Sequence, residues 1–200
     1  MTAIQTETKS NRNGSRKIAA VLAGGLVLGV GTMATLASWN DSEFAAATFT
    51  AGKFIFEGAP DQTTFTDHPI TPAALTFSAP FNNLTPNDVV YAGYAVRLGT
   101  GTTNNATVTV TNTATGAATD YQYTLFTTAT AGCSAAAVST GTIVATSDLG
   151  AGTGNFSLLK NASVSTPGAT TFLCFKVTAD STVAQASTST ITWQLRAVSN

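Results

Sequence analysis

Apolar positions along the chain fall into two regimes. From residue 18 to residue 36 no charge interrupts a run of small and aliphatic side chains, whereas from residue 44 onward apolar residues recur at every second position. The second pattern is that of strands that bury one face. Phe44, Ala46, Phe49, Ala51, Phe54 and Phe56 alternate with slips near Thr48 and Gly52, which predicts a strand with a bulge or bend. Leu75, Phe77, Ala79 and Phe81 predict another, confined to an edge or ended by Pro80, which has no N–H to give to a ladder. Past the turn-forming run Asn82-Asn83-Leu84-Thr85-Pro86-Asn87-Asp88 comes a long strand with Val90, Ala92, Tyr94, Val96 and Leu98 on one face. The Gly99-Thr100-Gly101 turn joins it to Ala106, Val108 and Val110, and Tyr121, Tyr123 and Leu125 continue the alternation. Residues 129–137 lose the pattern, and short strands are expected at Ile143-Val144 and over 156–159. Phe172-Leu173-Cys174-Phe175-Lys176-Val177 is apolar on both faces, as in a central strand, and Ile191, Trp193, Leu195 and Ala197 close the chain.

Beyond the first run no window carries sustained helical periodicity with caps. About eight to ten short strands separated by turns predict an all-β fold, an antiparallel jelly-roll-like β-sandwich formed by one domain over residues 38–200. The uncharged run before it follows Arg12, Arg16 and Lys17, which is the order of an export signal, a basic region and then an apolar helix. The run is also long enough to span a bilayer, so a cleaved signal and a retained anchor are the two readings. Gly24, Gly25, Gly29 and Gly31 weaken a spanning helix, and the short side chains at Thr35, Ala37 and Ser38 suit a peptidase. Residues 1–37 are therefore expected to be a signal peptide, cut after Ala37 or Ser38.

Composition sharpens the picture. Processing removes Lys9, Arg12, Arg16, Lys17 and Glu7, leaving five basic and nine acidic residues, a charge of about −4 with no basic run. Nucleic-acid binding lacks the phosphate-neutralising charge it requires. Charged residues make up only 10% of the chain, so hydroxyl-bearing strand faces must cover much of the surface, and few charges remain to block edge-to-edge pairing. Cys133 and Cys174 stand in the exported portion, where a disulfide is the first expectation; two buried thiols or a metal pair are the alternatives.

Catalytic constellations are missing from the pattern. His68 is the single histidine and, beside Pro69, reads as a solvated loop residue rather than the base of a nucleophile. No zinc-protease, nucleophile-elbow or phosphate-loop motif occurs, and the glycine-rich stretch at 150–154 reads as a flexible turn. Asp41-Ser42-Glu43 and the acids at Asp61 and Asp67 lack the dense alternation of a calcium loop. The expectation is no catalytic set, no cofactor and no metal site.

Three stretches carry a resemblance. Leu36-Ala37-Ser38-Trp39-Asn40-Asp41-Ser42-Glu43 followed by Ala47-Thr48-Phe49-Thr50-Ala51-Gly52-Lys53-Phe54 resembles the signal junction and first strand of the TasA/camelysin family of exported proteins, processed by the signal peptidase SipW. Leu84-Thr85-Pro86-Asn87-Asp88 resembles that family's turn before a long strand, with Asn87 where the family usually has Gly, and Thr192-Trp193-Gln194-Leu195-Arg196-Ala197 resembles its closing strand. The resemblance implies a secreted bacterial subunit that builds extracellular matrix or cell-surface fibres. The chain departs from the family by lacking long Lys-rich insertions and by carrying Cys133 and Cys174. Camelysin is described as a metalloprotease, but the ligands for that chemistry are not visible in this sequence.

Three functions follow as expectations. The first is a structural subunit whose partners are copies of itself, a minor anchoring or assembly protein and the signal peptidase, with membrane contact only through an uncleaved signal. Its assembly segment would be residues 39–51, with Trp39, Phe44 and Phe49, inserted as a strand into an open sheet edge of a neighbour. The second is a carbohydrate- or peptide-binding module using Tyr91, Tyr94, Tyr121 and Tyr123, for which core packing is the plainer role. The third, a camelysin-like protease, is remote.

Overall fold

The computed structural model describes Lys17, Ile18 and Val21, all helical, and residues 43–200. The chain divides into two compact units, Met1–Phe49 and Thr50–Asn200. Ala37, Ser38 and Trp39 lie outside the described residues, as does most of the expected signal helix. No helix among the described residues is long and apolar enough to cross a membrane.

The second unit is an all-β sandwich of two antiparallel sheets. Its strands are β1 (Phe56–Ala59), β2 (Val89–Leu98), β3 (Ala106–Gly116), β4 (Tyr121–Thr128), β5 (Thr142–Asp148), β6 (Gly154–Leu158), β7 (Thr171–Ala179) and β8 (Ser189–Ser199). One sheet has the order β1-β2-β7-β4-β5, the other β6-β3-β8. The alternation explains the layering: Ala106, Val108 and Val110 of β3 and Tyr121, Tyr123 and Leu125 of β4 point inward and are buried, while Thr107 and Thr109 stand on the outer face. In β7, Leu173, Cys174 and Phe175 are all buried, as its two-sided apolar run predicts, because β2 and β4 flank it and both faces are covered.

Cys174 looks away from the core. The chain between β4 and β5 folds back over that outer face through a single helical turn, α1 (Ala135–Ser139), whose start is capped by Ser134 Oγ accepting the Ala137 N–H. A Cys133–Cys174 disulfide ties the excursion down, with Cα atoms 5.1 Å apart. Such a bond belongs to an oxidising environment. The Thr85–Asp88 turn is closed by the Asp88 N–H donating to Thr85 O at 3.0 Å. Asn87 adopts a φ of 67°, the left-handed region that glycine and asparagine tolerate best.

Two expected strands do not form. Residues 43–50 carry no strand; of the alternating run only Phe56–Ala59 forms a strand, preceded by a single bridge between Lys53 and Thr102. Residues 72–78 run without a ladder; Leu75 and Phe77 pack on the core, but the backbone bonds the sandwich only at Ser78.

Candidate functional site

The two long sides of the sandwich are built differently. On one side β5 and β6 come together closely enough that a Cβ added at Gly154 would run into the carbonyl oxygen of Val144. Asn112 of β3 closes this side. Its Oδ1 accepts the Gly150 N–H at 2.6 Å, and its Nδ2 donates to Ala151 O at 2.6 Å and to Tyr123 Oη at 2.9 Å. Gly150 and Gly152, with φ of 85° and 79°, let the loop bend onto that amide. The alternation of Ala106, Val108 and Val110 continues inward to Asn112, but which groups that amide would meet depends on how the sheets stack.

The other side is open. A jelly roll pairs its eight strands in the orders 1-8-3-6 and 2-7-4-5. Here 2-7-4-5 and 8-3-6 are in place, but β1 pairs with β2 at residues 95–98, in the other sheet. Strand β8 therefore pairs with β3 along its whole length, Ser189↔Gly116 to Ser199↔Ala106, and on its other edge no backbone hydrogen bond forms among the described residues. Inward-facing Ile191, Trp193, Leu195 and Ala197 are only half-buried for that reason.

Beneath this edge lie two clefts of about 700 and 660 Å³. Phe77, Ile191 and Trp193 line both, so the Phe77–Trp193 contact, with ring centroids 6.3 Å apart, divides one groove in two. Trp193 also packs on Phe175 at 4.7 Å and edge-on against Tyr123 at 5.9 Å. The groove is almost without charge: Asp67 and His68 at one end are its only acidic and basic side chains. Tyr94 lines it too, and burial raises that phenol's pKa above its ordinary value. Two polar atoms of the groove, Trp193 Nε1 and His68 Nδ1, are buried without a hydrogen-bond partner among the described residues. His68 is thus half-buried in the wall, with Nε2 3.1 Å from Thr66 Oγ1, and not the solvated loop residue its position beside Pro69 suggests.

Of the predicted site residues, Phe44 and Phe49 lie outside any strand and are 96% and 92% exposed. Cys133 and Cys174 are bonded on the outer face of the larger sheet. Among the tyrosines, Tyr121 and Tyr123 belong to the core and Tyr94 is partly buried, so the structure assembles no row of exposed rings from them. Asp61 accepts the N–H groups of Thr63 and Thr64, and Asp88 accepts the N–H and hydroxyl of Thr85. Hydrogen bonds hold both carboxyls below the usual aspartate range, Asp61 chiefly through the Thr64 side chain and then the Thr64 and Thr63 N–H groups, and Asp88 chiefly through the Thr85 N–H. Both are turn-formers.

The β8 edge and the Phe77–Trp193 partition were not legible beforehand. Both strand-like runs could be seen, but which strand would be left at an edge depends on sheet order. No family model matches the chain, and no curated protein matches it.

Proposed function

We propose that the mature chain is a secreted structural subunit of the TasA/camelysin kind, which assembles into extracellular matrix or cell-surface fibres of a bacterium. Residues 39–51 of one copy pair as a strand with the free edge of β8 on the next. The observation that carries this reading is the edge of an 11-residue strand, unpaired among the described residues and standing over a groove that is charged only at Asp67 and His68 at one end. The segment assigned to it is complementary over most of its length: Asp41 and Glu43 are its charged residues, residues 44–51 carry none, and Phe44 and Phe49 are left in water. Exposed apolar surface costs about 25 cal/mol per Å², so pairing is favoured by burial as well as by backbone hydrogen bonds. A donor at one end of a subunit and an acceptor edge on the next make a head-to-tail contact that does not close on itself, and a filament results. A minor anchoring or assembly protein could end or start such a filament by the same edge.

Deletion of residues 39–47 tests the reading. The shortened chain is expected to remain a β-rich monomer by circular dichroism and light scattering, and to form no fibres under conditions where the mature chain does. Fibres from the shortened chain, or a failure to fold, would place the segment in its own sandwich and end the proposal.

A further inference from the structure

Residues 67–77 cross the open side of the sandwich without one backbone–backbone hydrogen bond among the described residues. The segment is tied at its ends, by the Gly58–Thr66 pair and by Ser78, whose N–H donates to Tyr91 O at 2.9 Å and whose Oγ accepts the Tyr91 N–H at 3.0 Å. Between those ties it is held by side chains, chiefly Leu75 and Phe77 against the core. Its alternation of Leu75, Phe77, Ala79 and Phe81 has the same character as that of Phe44, Ala46, Phe49 and Ala51. Phe77 lies against Trp193, the residue at the centre of the groove, so an incoming strand that seats a side chain on Trp193 meets Phe77 there first.

From these contacts we infer that residues 67–81 are a strap, an intramolecular stand-in for the donated strand, which covers the groove in the free subunit and is displaced by residues 43–51 of a second copy. The inference rests on the fibre-subunit reading above and adds a barrier to it. Three features fit a cover that leaves. A segment lacking a backbone ladder opens at low cost compared with a strand. The two buried polar atoms without partners, Trp193 Nε1 and His68 Nδ1, sit where the strap meets the groove and gain access to partners when it lifts. The occupant that replaces it carries one charge, on Glu43 at its start, and residues 44–51 carry none, which matches a groove charged only at Asp67 and His68 among its described lining residues. A covered groove keeps single subunits apart until the two segments exchange, which makes the start of a fibre slow and its growth dependent on strap opening.

The experiment compares the mature wild-type chain with Phe77→Ala and Ser78→Ala, measuring lag time and the rate of elongation from wild-type fibre seeds by light scattering. Loosening the strap raises the open population, so Phe77→Ala is expected to elongate faster by on the order of tenfold, and Ser78→Ala by a smaller factor. Ser78→Ala removes only the hydroxyl contact to Tyr91 and leaves the groove walls unchanged, so it keeps the result readable if Phe77→Ala unfolds. Wild-type fibres combined with unchanged or slower elongation in the folded variants overturn the strap and leave the subunit reading intact. A wild-type chain that makes no fibres under any condition sinks the subunit reading, and the strap with it.

Discussion

Replacing Asn112 with alanine removes a side chain that holds three groups at once. Its amide accepts from Gly150 and donates to Ala151 O and Tyr123 Oη at 2.6–2.9 Å, and it fastens the loop between β5 and β6 across the closed side of the sandwich. A neutral hydrogen bond contributes about 1 kcal/mol net, and a buried group left unpaired costs more. The loop residues are exposed enough for water to take over the freed N–H and C=O, whereas Tyr123 is fully buried and keeps only its longer bond to Ala151 O at 3.3 Å. The expected loss is therefore about 2–3 kcal/mol, less than three unsatisfied buried groups would give. For a domain of this size that lowers Tm by roughly 5–10 °C. Denaturant unfolding of the mature chain with its disulfide intact reads the free energy directly. Asn112→Asp supplies a second readout. A carboxylate facing Ala151 O repels it, while the protonated acid can donate to it, so folding raises this group's pKa. Stability from the protonated form is then present below the unfolded aspartate pKa of about 3.9 and lost as pH rises through the folded value. The variant should gain stability relative to wild type on acidification. A loss under 0.5 kcal/mol in the alanine variant, or an aspartate variant that weakens relative to wild type as pH falls, refutes the account.

Other expectations concern the disulfide and the turns. Cys133→Ala with Cys174→Ala releases a loop spanning 41 residues, worth about 4 kcal/mol in the chain-entropy model, so Tm should fall. Fibre formation at temperatures where the variant stays folded should persist, because the bond lies on the outer face of the larger sheet and not at the β8 edge; loss of fibres from folded protein would contradict this. Asp61 and Asp88 have depressed pKa values in the folded chain, so what their turns contribute is present above the unfolded aspartate pKa and lost as pH falls through the folded values. Asp88→Asn should flatten the acid limb of a stability profile taken from neutral to strongly acidic pH, and an unchanged limb would remove Asp88 as a contributor.

Period-two alternation alone determined the fold class, the inward faces of β2, β3, β4 and β8 and the central place of β7, because burial of one sheet face repeats locally along each strand. The two cysteines also pointed to their own bond, since no further cysteine offered a choice of partners. What the alternation could not decide was pairing. Residues 44–51 and 75–81 have the side-chain pattern of strands, yet neither forms one among the described residues, because a ladder needs an available edge and edges are set by the order of distant segments. The same holds for the open side of the sandwich. That β8 has no outer neighbour among the described residues follows from β1 joining β2, and what the inward-facing Asn112 clasps follows from how the sheets stack. Both are relations between residues far apart in sequence, and only tertiary packing brings them together.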